Sequence, residues 1–109
     1  MATGLLGQSA PSASTYTQVY AVPVGYFTAL SIAVLNRAAT QTSIRIALTG
    51  TVAPAAPSNS EFIEYDTIIG GNGVLERTGI MLSASKYVVV YASTANVSVS
   101  VFGIETSTT

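Results

Sequence analysis

The residues of this chain that could do chemistry are few, because its 109 residues include no histidine and no cysteine. Histidine is the commonest general base and metal ligand, and cysteine supplies thiolate nucleophiles and zinc ligands. A Ser-His-Asp triad or a zinc site of His and Cys ligands therefore cannot be assembled. The sequence indicates a protein that is not an enzyme, with no catalytic residues, no cofactor and no metal.

Three acidic residues close together are the best candidates for a cation site. Glu64 and Asp66 are two positions apart, so on a strand their carboxylates share a face about 7 Å apart, and Glu61 precedes them. With Glu61 they could bind a hard cation such as calcium. We favour a solvated or interface face whose carboxylates pair with Arg45 or Arg37 across strands. A glycosidase pair is a remote third reading, because so small a chain supplies no cleft.

Tyrosines form a second group. Tyr87 and Tyr91 fall on the same face of one predicted strand, and together with Tyr65 they could form a platform on which sugar rings stack. The alternative is packing in the core or at a subunit interface, with the hydroxyl groups reaching the edge. Sandwich cores use tyrosine in this way, so we favour that alternative.

Five residues are predicted to bind a partner protein. Arg37, Arg45 and Arg77 could each anchor an interface by bidentate pairing, or could equally be exposed charges on strands and loops. Leu5 and Leu6 are the large apolar side chains of an N-terminal segment that is otherwise rich in Gly, Ser, Ala and Pro. Such a segment favours an extended arm that needs pockets on a neighbour.

The elements that must position these side chains are strands, because apolar residues recur at every second position and β-branched and aromatic residues dominate. Ser43–Thr49 shows the clearest alternation. The predicted strands are residues 14–22, 26–36, 43–49, 62–69, 74–82, 86–92 and 97–105. The residues expected in the core are Ile32, Val34, Ile44, Ile46, Leu48 and Val89.

These strands predict an all-β protein, a single antiparallel β-sandwich of jelly-roll or Ig-like type with about seven strands. The sandwich is expected over residues 14–105, after an extended N-terminal arm at residues 1–13 and before a tail at residues 106–109. Ala53–Ser60 is rich in proline and is expected to be a loop. Gly70–Gly73 is expected to be a tight hairpin turn, because its residues accept positive φ angles.

Charge is sparse and restricts the possible partners. Charged residues make up 8% of the chain, against about 25% in soluble domains, and the net charge of -1 at pH 7 favours association. Four basic residues cannot form a phosphate-binding stripe, so no nucleic acid is expected. The longest apolar stretch, residues 26–35, is half of the roughly 20 residues that a membrane span needs. Without signal-peptide features at the N-terminus, we expect synthesis and retention in the cytoplasm.

Several short segments, in a common order and spacing, carry a resemblance that covers nearly the whole chain. They are Gly7–Pro11, Tyr20–Pro23, Ser31–Arg37, Ile44–Ala47, Phe62–Asp66, Gly79–Ile80, Val90–Ser93 and Val101–Gly103. In these segments the chain resembles small virion structural proteins of tailed bacteriophages, including those of cyanobacterial phages. The resemblance implies a particle component without catalytic activity, made in the host cytoplasm and located in the virion. Residues 70–77 depart from it, because we would expect a more polar turn there.

Two functions fit these expectations. The first is a capsid decoration or cement protein that stabilises the shell, with itself as a homo-oligomer, expected to be a trimer, and the major capsid protein or another virion protein as partners. Its arm, Ala2–Ala13, would dock on a neighbouring subunit or on the shell. The second is a tail, neck or fibre component with a receptor-binding role. The low charge and the arm favour the first, and the absence of aromatic residues from Ala53–Ser60 speaks against the second.

Overall fold

Strands account for nearly all the regular structure in the computed structural model, which describes residues 3–53 and 55–108. The strands are β1 (Thr3–Ser9), β2 (Thr17–Ala21), β3 (Tyr26–Asn36), β4 (Thr42–Thr49), β5 (Phe62–Ile69), β6 (Val74–Leu82), β7 (Tyr87–Ala92) and β8 (Val97–Ser107), with a 3₁₀ helix at Asn59–Glu61. In the described part of the chain, no helix is long and apolar enough to cross a membrane. The prediction of an all-β protein is confirmed.

The strands form two packed antiparallel sheets of four. The first sheet has the order β1-β8-β3-β6, and the second sheet has the order β2-β7-β4-β5. The pairs β1–β8, β2–β7, β3–β6 and β4–β5 show that the chain is a long hairpin rolled up on itself, which is the arrangement of a jelly roll. The predicted sandwich is thus confirmed, with eight strands in the described residues where we expected about seven.

The additional strand is β1, which lies in the segment expected to be an arm. Thr3–Ser9 pairs with β8 of the same chain. Its packing against β2 is so close that a Cβ atom added to Gly7 would lie 2.3 Å from the carbonyl oxygen of Val19. Residues 3–9 are therefore an edge strand of the sandwich and not the separate arm that we expected, because their backbone groups find partners within the chain. Met1 and Ala2 lie outside the described residues.

The core lies between the two sheets. It is formed by buried side chains from β2 to β8 and the turns beside them, namely Tyr20, Val22, Leu30, Ile32, Val34, Ile44, Ile46, Ile69, Leu82, Val88, Val90, Ala92, Val97, Val99 and Val101. The prediction is confirmed for Ile32, Val34, Ile44 and Ile46, and Leu48 packs against this core while half-buried. Val89 is buried but stands outside this cluster, because alternation along β7 turns its side chain outward.

The glycine-rich segment Gly70–Gly73 forms a turn, but it does not close a hairpin. β5 belongs to the second sheet and β6 to the first, so the turn carries the chain from one sheet to the other. The buried side chain of Asn36 fixes it by donating from Nδ2 to the carbonyl oxygens of Ile69 and Gly70, both at 3.2 Å. The hairpin prediction was wrong because positive-φ residues favour a tight turn without determining which strands pair.

A small polar network is buried inside the sandwich. The hydroxyl group of Tyr20 on β2 donates to Oε2 of Glu105 on β8 at 2.5 Å and lies 2.8 Å from Oγ1 of Thr28 on β3. All three side chains are buried. Burial, assisted by the bond to Glu105, raises the pKa of Tyr20 to about 12. The network links strands of both sheets across the core.

Candidate functional site

A cluster of aromatic side chains around Arg45 covers part of the outer face of the second sheet. Arg45 on β4 lies directly opposite Tyr91 on β7. Tyr16 immediately precedes β2, while Phe62 and Tyr65 lie on β5. Each of the four strands of the second sheet therefore contributes to one group on the same face, with β2 represented by the residue before it. We call this group, Tyr16, Arg45, Phe62, Tyr65 and Tyr91, the Arg45 cluster.

An irregularity in β5 makes the Arg45 cluster possible. Tyr65 and Asp66 both lie opposite Arg45, at a point where the register between β4 and β5 shifts. Asp66 has a φ angle of 51°, in the left-handed region that aspartate tolerates better than most residues. A β-bulge of this kind re-aims side chains. It allows one arginine to contact two consecutive residues of the neighbouring strand.

The guanidinium of Arg45 is bound on several sides. Its Nε and Nη2 atoms donate to the two carboxylate oxygens of Asp66 at 2.6 and 3.3 Å, and Nη1 donates to the hydroxyl group of Tyr16 at 2.9 Å. Its central carbon lies 4.3 Å from the ring centre of Tyr65 and 4.7 Å from that of Tyr91. These are cation–π distances. The bonds to Asp66 and then Tyr16 raise the pKa of Arg45, so the group stays charged.

The rings of the Arg45 cluster also contact one another. Tyr16 lies 4.8 Å from Tyr91 and 6.3 Å from Phe62 between ring centres, and Phe62 meets Tyr65 edge to face at 5.0 Å. Tyr16 and Phe62 come from the two opposite edges of the sheet, so their rings lean toward each other over the middle strands. Most of the cluster is thus filled by its own side chains.

One side of the Arg45 cluster remains open. Asn59, Phe62 and Tyr65 line a depression of about 360 Å³, close to the lower end of the roughly 300–1,000 Å³ of small-molecule sites. Tyr65 is 58% exposed. Asn59 begins the 3₁₀ helix before β5, and Glu61 anchors that helix by accepting from the backbone N–H groups of Gly50 at 3.0 Å and Ser58 at 2.8 Å. The depression therefore has a defined wall.

The outer face of the first sheet has a different character. Its exposed large hydrophobic side chains come from all four strands: Leu5, Leu35, Val74, Met81, Phe102 and Ile104. The polar side chain of Gln8, opposite Ser100 on β8, is exposed on the same face. Phe102 lies opposite Leu5, and Ala29 lies between Ile104 and Met81. Among the described residues of these strands, Glu76 is the one charged side chain that faces outward, since Arg77 and Glu105 reach toward the second sheet. We call this surface the apolar face.

No family model, curated protein or solved structure matches this chain.

The five residues predicted to bind a partner are distributed over the molecule. Leu5 lies on the apolar face, whereas Leu6 packs against the core. Arg45 is the centre of the cluster on the other side. Arg77 joins the edges of the two sheets through Glu64, with Nε and Oε2 3.1 Å apart, and Arg37 donates to the carbonyl oxygen of Ala95 at 3.1 Å. The structure does not bring the five together into one site.

The three acidic residues have separate partners. Glu61 accepts the backbone bonds beside the 3₁₀ helix, which lower its pKa, Glu64 pairs with Arg77, and Asp66 pairs with Arg45. The predicted pairing of this segment with Arg45 is confirmed. In residues 3–53 and 55–108, no group of three potential ligands is arranged to hold a metal ion.

Tyr65 and Tyr91, two of the three tyrosines considered for a sugar-stacking platform, both lie against the guanidinium of Arg45. Tyr91 is covered by Tyr16 and Arg45, while Tyr65 is joined by Phe62 at the depression. Strict alternation puts Phe62 and Tyr65 on opposite faces of β5, and the irregular pairing of that strand places them together. The sequence feature that could have indicated this contact is the presence of two aromatic residues, Phe62 and Tyr65, three positions apart in one short strand.

Proposed function

We propose that this chain is a non-enzymatic structural protein of a virus particle, a capsid decoration or cement protein that stabilises the shell and associates with a second copy of itself through the apolar face. The observation that carries the self-association is the apolar face itself, with large exposed side chains on all four strands and a single outward charge among its described residues. Exposed apolar patches of this extent mark interaction surfaces.

The composition of the apolar face favours a second copy of the chain as the occupant. In a two-fold pair the same surface contacts itself, so a charge at the centre of the face would meet its own copy. Glu76 lies opposite Ala33 in the register, away from the band of Ile104, Ala29 and Met81. Burying that band against itself therefore requires no buried charge, which would be costly.

The size of the apolar face also fits a dimer. β3 and β8 are each 11 residues long, which is roughly 36 Å at about 3.3 Å per residue, and four strands about 4.8 Å apart are roughly 19 Å wide. The face covers at most roughly 700 Å². A standard interface takes about 800 Å² from each partner.

The assignment to a virus shell rests on the resemblance of the sequence, on the scarcity of charge and on the fold. Jelly rolls are used by viral capsid proteins, although also by lectins and cupins, so the fold alone supports the assignment only by analogy. The major capsid protein or another virion protein is the expected second partner. The trimer expected from the sequence stays a prediction. The assembly proposed here is a dimer, because one self-complementary face by itself produces a two-fold pair.

The second candidate is a tail, neck or fibre component with a receptor-binding role. Its support is the open depression beside Tyr65, since an exposed aromatic side chain at a concave surface is a feature of binding sites. The two candidates differ in copy number, because a shell repeats its subunits far more often than a neck or tail does.

Counting copies of this chain in purified virions tests the proposed function. Quantitative mass spectrometry with an isotope-labelled tryptic peptide, residues 38–45, and a second from the major capsid protein gives the ratio of the two proteins. We expect roughly hundreds of copies per particle, as symmetric shells require. About a dozen or fewer would favour the tail or neck, and absence from washed particles would overturn both candidates.

A further inference from the structure

We propose that the depression formed by Asn59, Phe62 and Tyr65 on the second sheet is a binding site for a neutral sugar ring of a glycan. It lies on the opposite side of the sandwich from the apolar face, so it stays accessible when two copies associate through that face. The site goes beyond the structural role proposed above, and either could fail while the other stands.

The aromatic floor of the site is held in place before any ligand arrives. The ring of Tyr65 has the edge-to-face contact with Phe62, at an interplanar angle of 86°, and the guanidinium of Arg45 lies 4.3 Å from its centre. Arg45 is itself fixed by Asp66 and Tyr16. A side chain that is already ordered loses little entropy on binding, which favours affinity.

The chemistry of the site suits a sugar. The face of an aromatic ring carries a partial negative charge, and the C–H groups on one side of a pyranose ring carry partial positive charges, so the two surfaces attract while excluding water. At the rim, the exposed amide of Asn59 offers both donors and an acceptor.

Charge and size specify the kind of sugar. The three residues that line the depression are uncharged, and the positive charge of Arg45 beside them is matched by Asp66 at 2.6 Å, so this lining favours a neutral sugar over an acidic sugar, a sulfate or a phosphate. The depression of about 360 Å³ is shallow and largely open to solvent. It has room for a small part of a chain, which fits one or two rings of a longer neutral glycan.

Titration of the full chain with three neutral hexasaccharides, made of glucose, mannose and N-acetylglucosamine, tests the site by NMR. We expect at least one of them to shift the signals of Phe62 and Tyr65. Tyr65→Ala should weaken that binding about fivefold or more, because one aromatic contact is worth about 1 kcal/mol, which is about fivefold in affinity. Tyr65→Phe should bind within about threefold of the wild type, since the ring stays.

Ile68→Ala is the matched control, because Ile68 lies on the same strand and is 61% exposed, close to the exposure of Tyr65. It should leave the affinity unchanged. Melting temperatures establish that all variants are folded. No shift with any of the three glycans at about 10 mM, or equal binding by Tyr65→Ala and wild type, would overturn the proposal. Shifts of the same signals by a proline-rich decapeptide and by none of the glycans would also overturn it, in favour of a peptide site.

Discussion

The outer faces of the two sheets differ in whether their outward side chains have partners within the chain. On the second sheet, Arg45, Asp66 and the surrounding rings satisfy one another, so the cluster is largely complete within one chain. On the first sheet, Phe102 and Met81 are exposed and have only aliphatic or small neighbours across the strands. An alternating strand produces both kinds of face. The difference is whether the outward residues can bond to each other.

This comparison separates stability from assembly. Residues of the Arg45 cluster should contribute to the free energy of unfolding of a single chain, because their contacts exist without a partner. Residues of the apolar face should contribute less until a second copy covers them, since the exposed part of a side chain gains no burial energy. The variants below test that separation in order of expected effect.

Gly7→Ala should have the largest effect on the free energy of unfolding, because it disrupts the packing of β1, an edge strand of the sheet that carries the apolar face. The added methyl group would lie 2.3 Å from the carbonyl oxygen of Val19, and overpacking of this kind costs about 1–3 kcal/mol or more. Gly70→Ala is the control, since a Cβ atom there has open space. Urea unfolding measures both, and equal stability of the two variants would return residues 3–9 to the role of a loose arm.

Arg45→Ala and Met81→Ala compare the two faces directly. Removal of Arg45 loses the pair with Asp66 and two ring contacts, for which we expect a loss of about 1–2 kcal/mol. Met81 is 63% exposed, so its truncation should change the stability of the monomer by less than about 0.5 kcal/mol. Urea unfolding at low protein concentration, where the chain is monomeric, is the measurement. A larger loss for Met81→Ala would reverse our view of the two faces.

Tyr20→Phe tests the core that both faces share, through its dependence on pH. Burial raises the pKa of Tyr20 from 10.0 to about 12, so the protonated hydroxyl group is favoured in the folded state. Its contribution to stability is complete below pH 10 and is lost as the pH rises from 10 to about 12. The variant should be less stable by about 1 kcal/mol at pH 7. The difference from wild type should shrink between pH 10 and 12, and a difference that stays constant would contradict this role.

The strands could be predicted from the sequence where alternation is strong. The bounds of β3, β5 and β6 are those expected, because apolar residues recur to within one position of the end of each strand. β1 was missed as a strand because its pairing shifts between Leu5 and Gly7, and its small residues hide the period of two.

The candidate sites were harder to predict than the strands. That Arg45 pairs with the acidic segment of β5 could be expected from residue types. The sequence does not indicate that Tyr65 and Asp66 share Arg45 as a partner, because this arrangement depends on a bulge that no local sequence pattern marks. The apolar face could not be located either, because a strand pattern does not say which of two apolar surfaces becomes the inner one until the order of strands is known.

Sedimentation velocity of the wild type and of Phe102→Glu tests the self-association through the apolar face most directly. Phe102 is 38% exposed near the middle of that face, and in a two-fold pair the new charges would be buried close to each other. We predict a dimer for the wild type at about 100 µM, a monomer for Phe102→Glu, and a dimer for the control Ile68→Glu on the other sheet. A monomeric wild type, or a dimer that Phe102→Glu leaves intact, would contradict the proposed role of the apolar face.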